Sequence, residues 1–372
     1  MSSYKICPEC KKDSYDDGWC KPCNSKHFQN DFNNWTIIEW IPYDRLKDVK
    51  QIGKGGLMDQ LMNGILKINN GKDMMKIHLK TYANYASIQF YGITQDPETH
   101  SHMMVLEYAK DGNLREYLKI NFNNINWVQK LYNLWDLSER LKRIHELDIV
   151  HQDFHPGNIL SVNFKSSVIM ISDFGLKVLS GDEEYTKAAD VYSSGIIAYE
   201  MVTGFPPYPD IPHDKDLAMK IFNGLRPKIP FHTPKLITRM IMRCWDARVT
   251  HRPTFKELSD ELYKYYEDYG DYLYYGYGKN KDSEIGIQIK KAEEFSENQN
   301  HSRGKESTNK TNSATTTPLN YQTHPQAIYT SRLLNFSVLP KPKNEENFEK
   351  ELEELTESTS VSIAPKLYVP DF

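Results

Sequence analysis

Two short motifs constrain this chain more than any other feature of its 372 residues. The first is Ile149-Val150-His151-Gln152-Asp153-Phe154-His155-Pro156-Gly157-Asn158-Ile159-Leu160. The second, Ser172-Asp173-Phe174-Gly175, closes the strand-like run Val168-Ile169-Met170-Ile171, so that Asp173 stands fifteen residues after Asn158 (173 − 158). Upstream, Ile52-Gly53-Lys54-Gly55-Gly56 follows the extended stretch Val49-Lys50-Gln51. Glycines there let backbone amides approach phosphates with no Cβ in the way. Next, Asn63-Gly64 falls between apolar runs, a hairpin signal that puts Lys67 on the returning strand. A glycine cluster alone is usually a turn; the ordered set is specific.

In this order the residues resemble the eukaryotic protein kinase family, where H-R-D-x-x-x-x-N and D-F-G carry catalysis. The resemblance covers about residues 46–268, with wording nearest the tyrosine-kinase-like group. Met104-Val105-Leu106-Glu107-Tyr108-Ala109 is similar to the hinge strand, and Asp190-Val191-Tyr192-Ser193-Ser194-Gly195 to the start of the central helix. Cys244-Trp245-Asp246 and Arg252-Pro253-Thr254 are similar to the closing helices. The resemblance implies an α+β, two-lobed protein kinase fold, with a small, trimmed antiparallel-sheet lobe and a large helical lobe. It implies ATP and Mg²⁺ as cofactors. Phosphoryl transfer needs charge neutralisation and alignment more than covalent help. Asp153 would accept the hydroxyl proton, Asn158 and Asp173 would hold Mg²⁺, and Lys67 would steer the α/β-phosphates. Gly53, Gly55 and Gly56 would cover the phosphates. The backbone at Glu107 and Ala109 would pair with adenine, and Asp190 would tie down the catalytic loop.

Departures from the family pattern point one way. Met58 stands where a third glycine falls, and Lys67 follows Gly53 by only fourteen residues (67 − 53). Met74 occupies the position of the glutamate expected to pair with Lys67; Asp73 is adjacent but turned ~100° away on a helix. Between Gly175 and Asp190 lie only fourteen residues, 176–189, with no A-P-E among them, so the activation segment is missing and Arg252 is expected to lack its usual glutamate. Gln152 replaces the arginine that reads a phosphorylated activation loop, and His155 stands where serine/threonine-type kinases carry lysine.

The flanks differ in composition. Four of the five cysteines fall in residues 1–34 as Cys7-Pro8-Glu9-Cys10 and Cys20-Lys21-Pro22-Cys23. Two C-x-x-C knuckles can gather four thiolates round Zn²⁺, and a piece so poor in apolar residues would draw its folding energy from the metal. A reduced or redox-active thiol cluster is the alternative. A linker, 35–45, leads to the kinase-like body at 46–268, and a mostly disordered tail at 269–372 follows. Eight tyrosines crowd between Tyr263 and Tyr277, expected just past the last helix on a flexible tether. The polar stretch 279–344 is expected to stay unfolded. Phe348, Leu352 and Leu355, spaced i, i+4 and i+7 among glutamates, mark a short helix or a solvated acidic face.

Forty-six basic against fifty acidic residues give a net charge of −4. That balance argues against nucleic-acid and anionic-membrane partners. Residues 1–34 hold five lysines and five acids, so a protein contact suits the cysteine segment better than nucleic acid. No apolar run approaches the ~20 residues of a membrane span, and the first residues carry no apolar signal core. Cysteines in C-x-x-C pairs point to a reducing compartment, cytosol or nucleus. Two readings follow: a protein kinase, of full or weak activity, that binds Mg-ATP and phosphorylates protein hydroxyls on substrates or signalling partners, and a pseudokinase scaffold with the same fold.

Overall fold

The β-branched and methionine-rich runs of the first half pair into small antiparallel sheets. The computed structural model of the chain describes residues 5–6, 13–14, 41, 43, 65–67, 81, 87–95, 97–98, 102–165, 168–174, 186–275, 283–303, 323–329 and 340–360. They fall into two compact units, one made of residues 1–114 and 143–184, the other of 115–142 and 185–372.

In the first unit, β1 (Lys5–Ile6) pairs antiparallel with β2 (Asp13–Ser14). Strands β3 (Ile65–Lys67), β4 (Phe90–Gln95) and β5 (His102–Leu106) form a second antiparallel sheet in the order β3-β5-β4. Lys67 lies on a strand, with Met103 of β5 opposite it; the Asn63-Gly64 turn of the expected hairpin lies outside the described residues. Met103, Leu106 and Thr94 of this sheet are buried. Strands β6 (Ile159–Asn163) and β7 (Val168–Ile171) form a hairpin whose Ile159, Leu160, Ile169 and Ile171 are fully buried. Burial on both faces explains why these strands read as continuous apolar runs.

The connection after β5 is tied down by its own backbone. Glu107 N–H donates to Gln89 O at 2.9 Å, Asp111 N–H to Ser161 O at 3.0 Å, and Ser161 N–H to Gly112 O at 3.1 Å. Ile88 N–H donates to Ile171 O at 3.1 Å, linking the end of β7 to the chain entering β4. The turns that leave β7 and enter β6 are thereby fixed to the same framework.

The second unit is helical. It draws on α1 (Leu114–Asn121), α2 (Trp127–Glu146), α3 (Lys187–Thr203), α4 (Lys215–Phe222), α5 (Lys235–Cys244), α6 (Phe255–Tyr275), α7 (Glu284–Arg303) and α8 (Phe348–Ser360). Leu131, Leu134, Leu137 and Leu141 put one stripe of α2 into the core, at the three-to-four-residue spacing of a helix face. Helix α4 is capped by Asp214, whose side chain accepts from the amides of Asp216 and Leu217. Helix α3 ends at Gly204, in the left-handed region at φ 75°, where an added Cβ would meet the Phe122 ring at 2.7 Å. Gly195, inside α3, lets Trp245 and Cys244 pack against its backbone: a Cβ there would lie 2.7 Å from Trp245 Nε1 and 2.8 Å from Cys244 Cβ.

Three features of this unit differ from the sequence expectation. Arg252 is well partnered without a glutamate: Nε donates to Asp246 O at 2.7 Å, Nη1 donates to Ala188 O at 2.8 Å, and the guanidinium lies 5.1 Å from the Tyr192 ring. The tyrosine-rich stretch is not a tether up to residue 275, because α6 runs through Tyr275. Tyr265 and Tyr269 are buried on it, and Tyr266 stacks on Trp135 at 6.1 Å. The polar stretch expected to stay unfolded contains α7, held by Ile285, Ile289 and Ala292 at i, i+4 and i+7, all buried. A narrow three-residue stripe suffices where a packed partner helix supplies the rest of the burial. The acidic segment near the end forms α8, with Phe348 buried. Among the described residues no helix is long and apolar enough to cross a membrane.

Candidate active site

The turn between His151 and Asn158 is built inward from one histidine. His151 is fully buried. Its Nδ1 accepts from the Asp153 amide at 3.4 Å, which assigns the ring proton to Nε2, 2.8 Å from the Ser172 carbonyl. The imidazole therefore joins the start of the first motif to the start of the second. Its ring also lies 5.3 Å from that of Phe154 and 4.7 Å from that of Phe174. Gln152 and Asp173 both take left-handed backbone, at φ 65° and 55°. Non-glycine residues there cost of order 1–3 kcal/mol each, a strain that persists only where surrounding contacts fix it.

Asn158 closes the turn. Its Nδ2 donates to the Asp153 carbonyl at 2.9 Å and approaches Asp153 Oδ2 at 3.4 Å and Asp173 O at 3.5 Å. Those contacts turn its Oδ1 away from Asp153. The Asn158 carbonyl accepts from the Ser172 amide at 3.0 Å and from the Ser172 hydroxyl at 3.2 Å. His155 caps the short 3-10 turn Pro156–Asn158: its Nδ1 accepts from the Gly157 amide at 3.0 Å, and its Nε2 faces Asp153 Oδ1 at 3.6 Å. The structure thus brings Asp153, Asn158 and Asp173 together on the hairpin β6–β7 and its flanking turns.

Their environments differ in a way chemistry can use. The Asp153 side chain is 35% exposed, open to an incoming group. Asp173 is 6% exposed, and neither of its carboxylate oxygens has a hydrogen-bond partner. Burial, followed by the nearby charge of Asp153, pushes the Asp173 carboxyl up to about 7. An unpartnered buried carboxylate is costly unless a cation completes it. Among the described residues no group of three or more His, Cys, Asp or Glu forms a ready-made metal cage. Mg²⁺ at nucleotide sites is held through one or two carboxylates together with substrate phosphates, so Asp173 and Asn158 fit that cation.

The other sequence-derived residues divide. Glu107 and Ala109 lie on the connection after β5, Ala109 fully buried. The amide of Glu107 is engaged by Gln89 O, and the carbonyl of Ala109 accepts from Gly112 N–H at 3.0 Å. Lys67 is placed in β3 by its backbone; its side chain, Gly53, Gly55, Gly56, Met74, Cys7, Cys10, Cys20 and Cys23 lie outside the described residues. Asp190 is buried in α3 of the second unit. Sequence reasoning gave no role to His151, Ser172 or Phe174. The one available signal was position: His151 stands two residues before Asp153, and Ser172 immediately before Asp173.

Comparison with known proteins agrees with this geometry. The protein tyrosine and serine/threonine kinase family matches residues 65–185 and 178–262, together more than half of the chain, in two pieces that meet between Gly175 and Asp190. Tyrosine-protein kinase SPK-1 of Girardia tigrina is 30% identical over 207 residues, 47% of this chain and 41% of that protein. Dual specificity protein kinase pyk3 of Dictyostelium discoideum is 27% identical over 256 residues, 60% of this chain and 19% of that one. The chain spans less than half the length of either relative. The match and the assembled Asp153, Asn158 and Asp173 place this chain in the protein tyrosine and serine/threonine kinase family.

Proposed function

We propose that the unit carrying Asp153, Asn158 and Asp173 binds Mg-ATP and transfers the γ-phosphoryl group to hydroxyls of proteins. The observation that carries this reading is the buried Asp173 carboxylate with no partner for either oxygen. Asp173 and Asn158 would hold Mg²⁺, which when bound neutralises phosphate charge. Asp153, half-open to solvent, orients the acceptor hydroxyl and takes its proton as oxygen bonds to the γ-phosphorus; the bond to the β–γ bridging oxygen breaks and ADP leaves. His155 Nε2 stands beside that carboxylate, 3.6 Å from Asp153 Oδ1. With the Glu107 amide and Ala109 carbonyl engaged, the Glu107 carbonyl and Ala109 amide remain for adenine, matching its N6 donor and N1 acceptor. Gly53, Gly55, Gly56 and Lys67 take the phosphate side, following the family pattern.

Magnesium dependence tests the reading. Millimolar Mg-ATP is expected to raise the melting temperature more than ATP with EDTA, by mass action on the folded state. Asp173→Ala is expected to abolish the difference. Equal shifts with and without magnesium would overturn the metal role of Asp173.

A scaffold without phosphoryl transfer is the second reading, and one feature favours it: residues 176–189 carry no A-P-E platform for a peptide substrate. We also assign the chain to the tyrosine-kinase-like group, to the cytosol or nucleus, and to protein rather than nucleic-acid or membrane partners. The four cysteines are proposed to bind one structural Zn²⁺. Strands β1 and β2, which flank Cys7 and Cys10 in the sequence, pair antiparallel. Metal analysis of the full chain is expected to give one zinc, lost in Cys7→Ser/Cys10→Ser; no zinc in the wild type would refute it.

A further inference from the structure

Within the helical unit, residues 324–329 lie along the loop that follows α3 and are tied to it by four hydrogen bonds. His324 N–H donates to Pro209 O at 2.8 Å, and His213 N–H donates to Gln326 O at 3.0 Å. The His213 ring lies between two carbonyls, Nδ1 3.0 Å from Ile328 O and Nε2 3.0 Å from Tyr208 O. Arg115 Nη1 donates to Tyr329 O at 2.8 Å. Only one side chain of the segment is read in depth. The Tyr329 ring stands edge-on to His213 at 4.7 Å and under the Arg115 guanidinium at 4.9 Å, and its hydroxyl donates to Pro207 O at 2.9 Å. Ile328, beside it, is 42% exposed and unselected.

The receiving surface is built, not incidental. Arg115 is held by a two-point ion pair with Glu200, at 2.7 and 3.1 Å, and Glu200 is 2% exposed. Tyr208 takes left-handed backbone at φ 51°, a strained conformation for a bulky residue, while its hydroxyl donates to Leu225 O at 3.2 Å. The segment turns once at residues 325–326, where Ala327 N–H donates to His324 O at 2.8 Å, and a strained loop that offers it two carbonyls and a histidine has the properties of a peptide-docking groove.

We propose that the loop 205–213, with Arg115, is a docking site for a peptide bearing an unmodified tyrosine, occupied in cis by residues 324–329. The chemistry excludes phosphotyrosine. A phosphate on the Tyr329 oxygen has no hydrogen to give Pro207 O and sets negative charge against a carbonyl dipole. The guanidinium that could answer it is already committed to Glu200. The groove is a binding function of the helical unit and stands apart from phosphoryl transfer.

The test uses the full chain, wild type and Tyr329→Ala, and a fluorescein-labelled peptide with the sequence of residues 323–330, read by anisotropy. A tethered segment competes at an effective concentration of order millimolar, so the peptide is expected to bind Tyr329→Ala about tenfold or more tighter than wild type. On Tyr329→Ala, the peptide with phenylalanine for tyrosine is expected to bind a few-fold weaker, having lost one hydrogen bond. The phosphotyrosine peptide is expected to bind at least about tenfold weaker. Equal binding to the two chains, phosphotyrosine binding as tight as tyrosine, or no saturable binding to Tyr329→Ala up to about 1 mM would each overturn the proposal. The peptide substitutions cannot perturb the fold, which keeps the comparison interpretable.

Discussion

Asp173 is where burial and charge conflict most openly, and the conflict has a pH signature. Its carboxyl, ordinarily near 3.8, is pushed up to about 7 by burial and then by Asp153. Between those values the folded chain keeps a proton that the unfolded chain has lost. Stability therefore falls as pH rises through that window and is level above it. Asp173→Asn removes the titration. In EDTA it is expected to melt with wild type near pH 4 and several degrees higher at pH 8, from thermal scans across that range. A variant that melts lower at pH 8 would contradict the unpartnered carboxylate. Gly195 offers a second residue-scale test. Replacing glycine by alanine inside a helix gains ~1 kcal/mol of propensity, but here the new Cβ would sit 2.7–2.8 Å from buried Trp245 and Cys244. Overpacking should win, and Gly195→Ala is expected to cost about 1–3 kcal/mol in a urea melt. Unchanged or increased stability would contradict the close approach of α3 to the Cys244–Trp245 corner.

The elements differ in how far the sequence displayed them. The hairpin β6–β7 and its two turns were legible because their information is local: apolar runs buried on both faces, bracketed by polar turns, all within residues 149–175. Helix α7 was not legible. Its buried stripe is Ile285, Ile289 and Ala292, set among Lys290, Lys291, Glu293 and Glu294, and composition outweighed periodicity. The stripe makes a prediction: Ile289→Ala should cost about 2 kcal/mol or more, raising hydrogen exchange of the α7 amides ~30-fold. Exchange unchanged along α7 would contradict its packing. Partners that are backbone carbonyls were equally invisible, because a carbonyl has no sequence signature. Arg252 meets Asp246 O and Ala188 O in place of a glutamate side chain, and the segment 324–329 meets the loop after α3 through main-chain groups. Where Arg252 has these partners, the helical unit closes around it without an A-P-E glutamate.

At the scale of the molecule, the chain joins a unit that gathers Asp153, Asn158 and Asp173 to a helical unit that carries its own C-terminal segments. Asn344 is tied to Asp246 and Ala247 of that unit, with Nδ2 donating to Asp246 Oδ1 at 3.0 Å and Oδ1 accepting from Ala247 N–H at 2.7 Å. The family match falls into two pieces, 65–185 and 178–262, and Asp153, Asn158 and Asp173 all lie in the first of them. In the proposed mechanism Asp173 and Asn158 serve metal and nucleotide binding, and Asp153 alone has a role that exists only if phosphoryl transfer occurs. The decisive measurement is therefore phosphate incorporation by mass spectrometry, using bacterially expressed wild type and Asp153→Asn with Mg-ATP and an unstructured acceptor protein rich in Ser, Thr and Tyr. The account predicts magnesium-dependent phosphate in the wild-type reaction and its loss in Asp153→Asn, while both proteins keep the Mg-ATP thermal shift. Phosphate from neither protein, with Mg-ATP bound to both, would contradict it and leave the scaffold reading in its place.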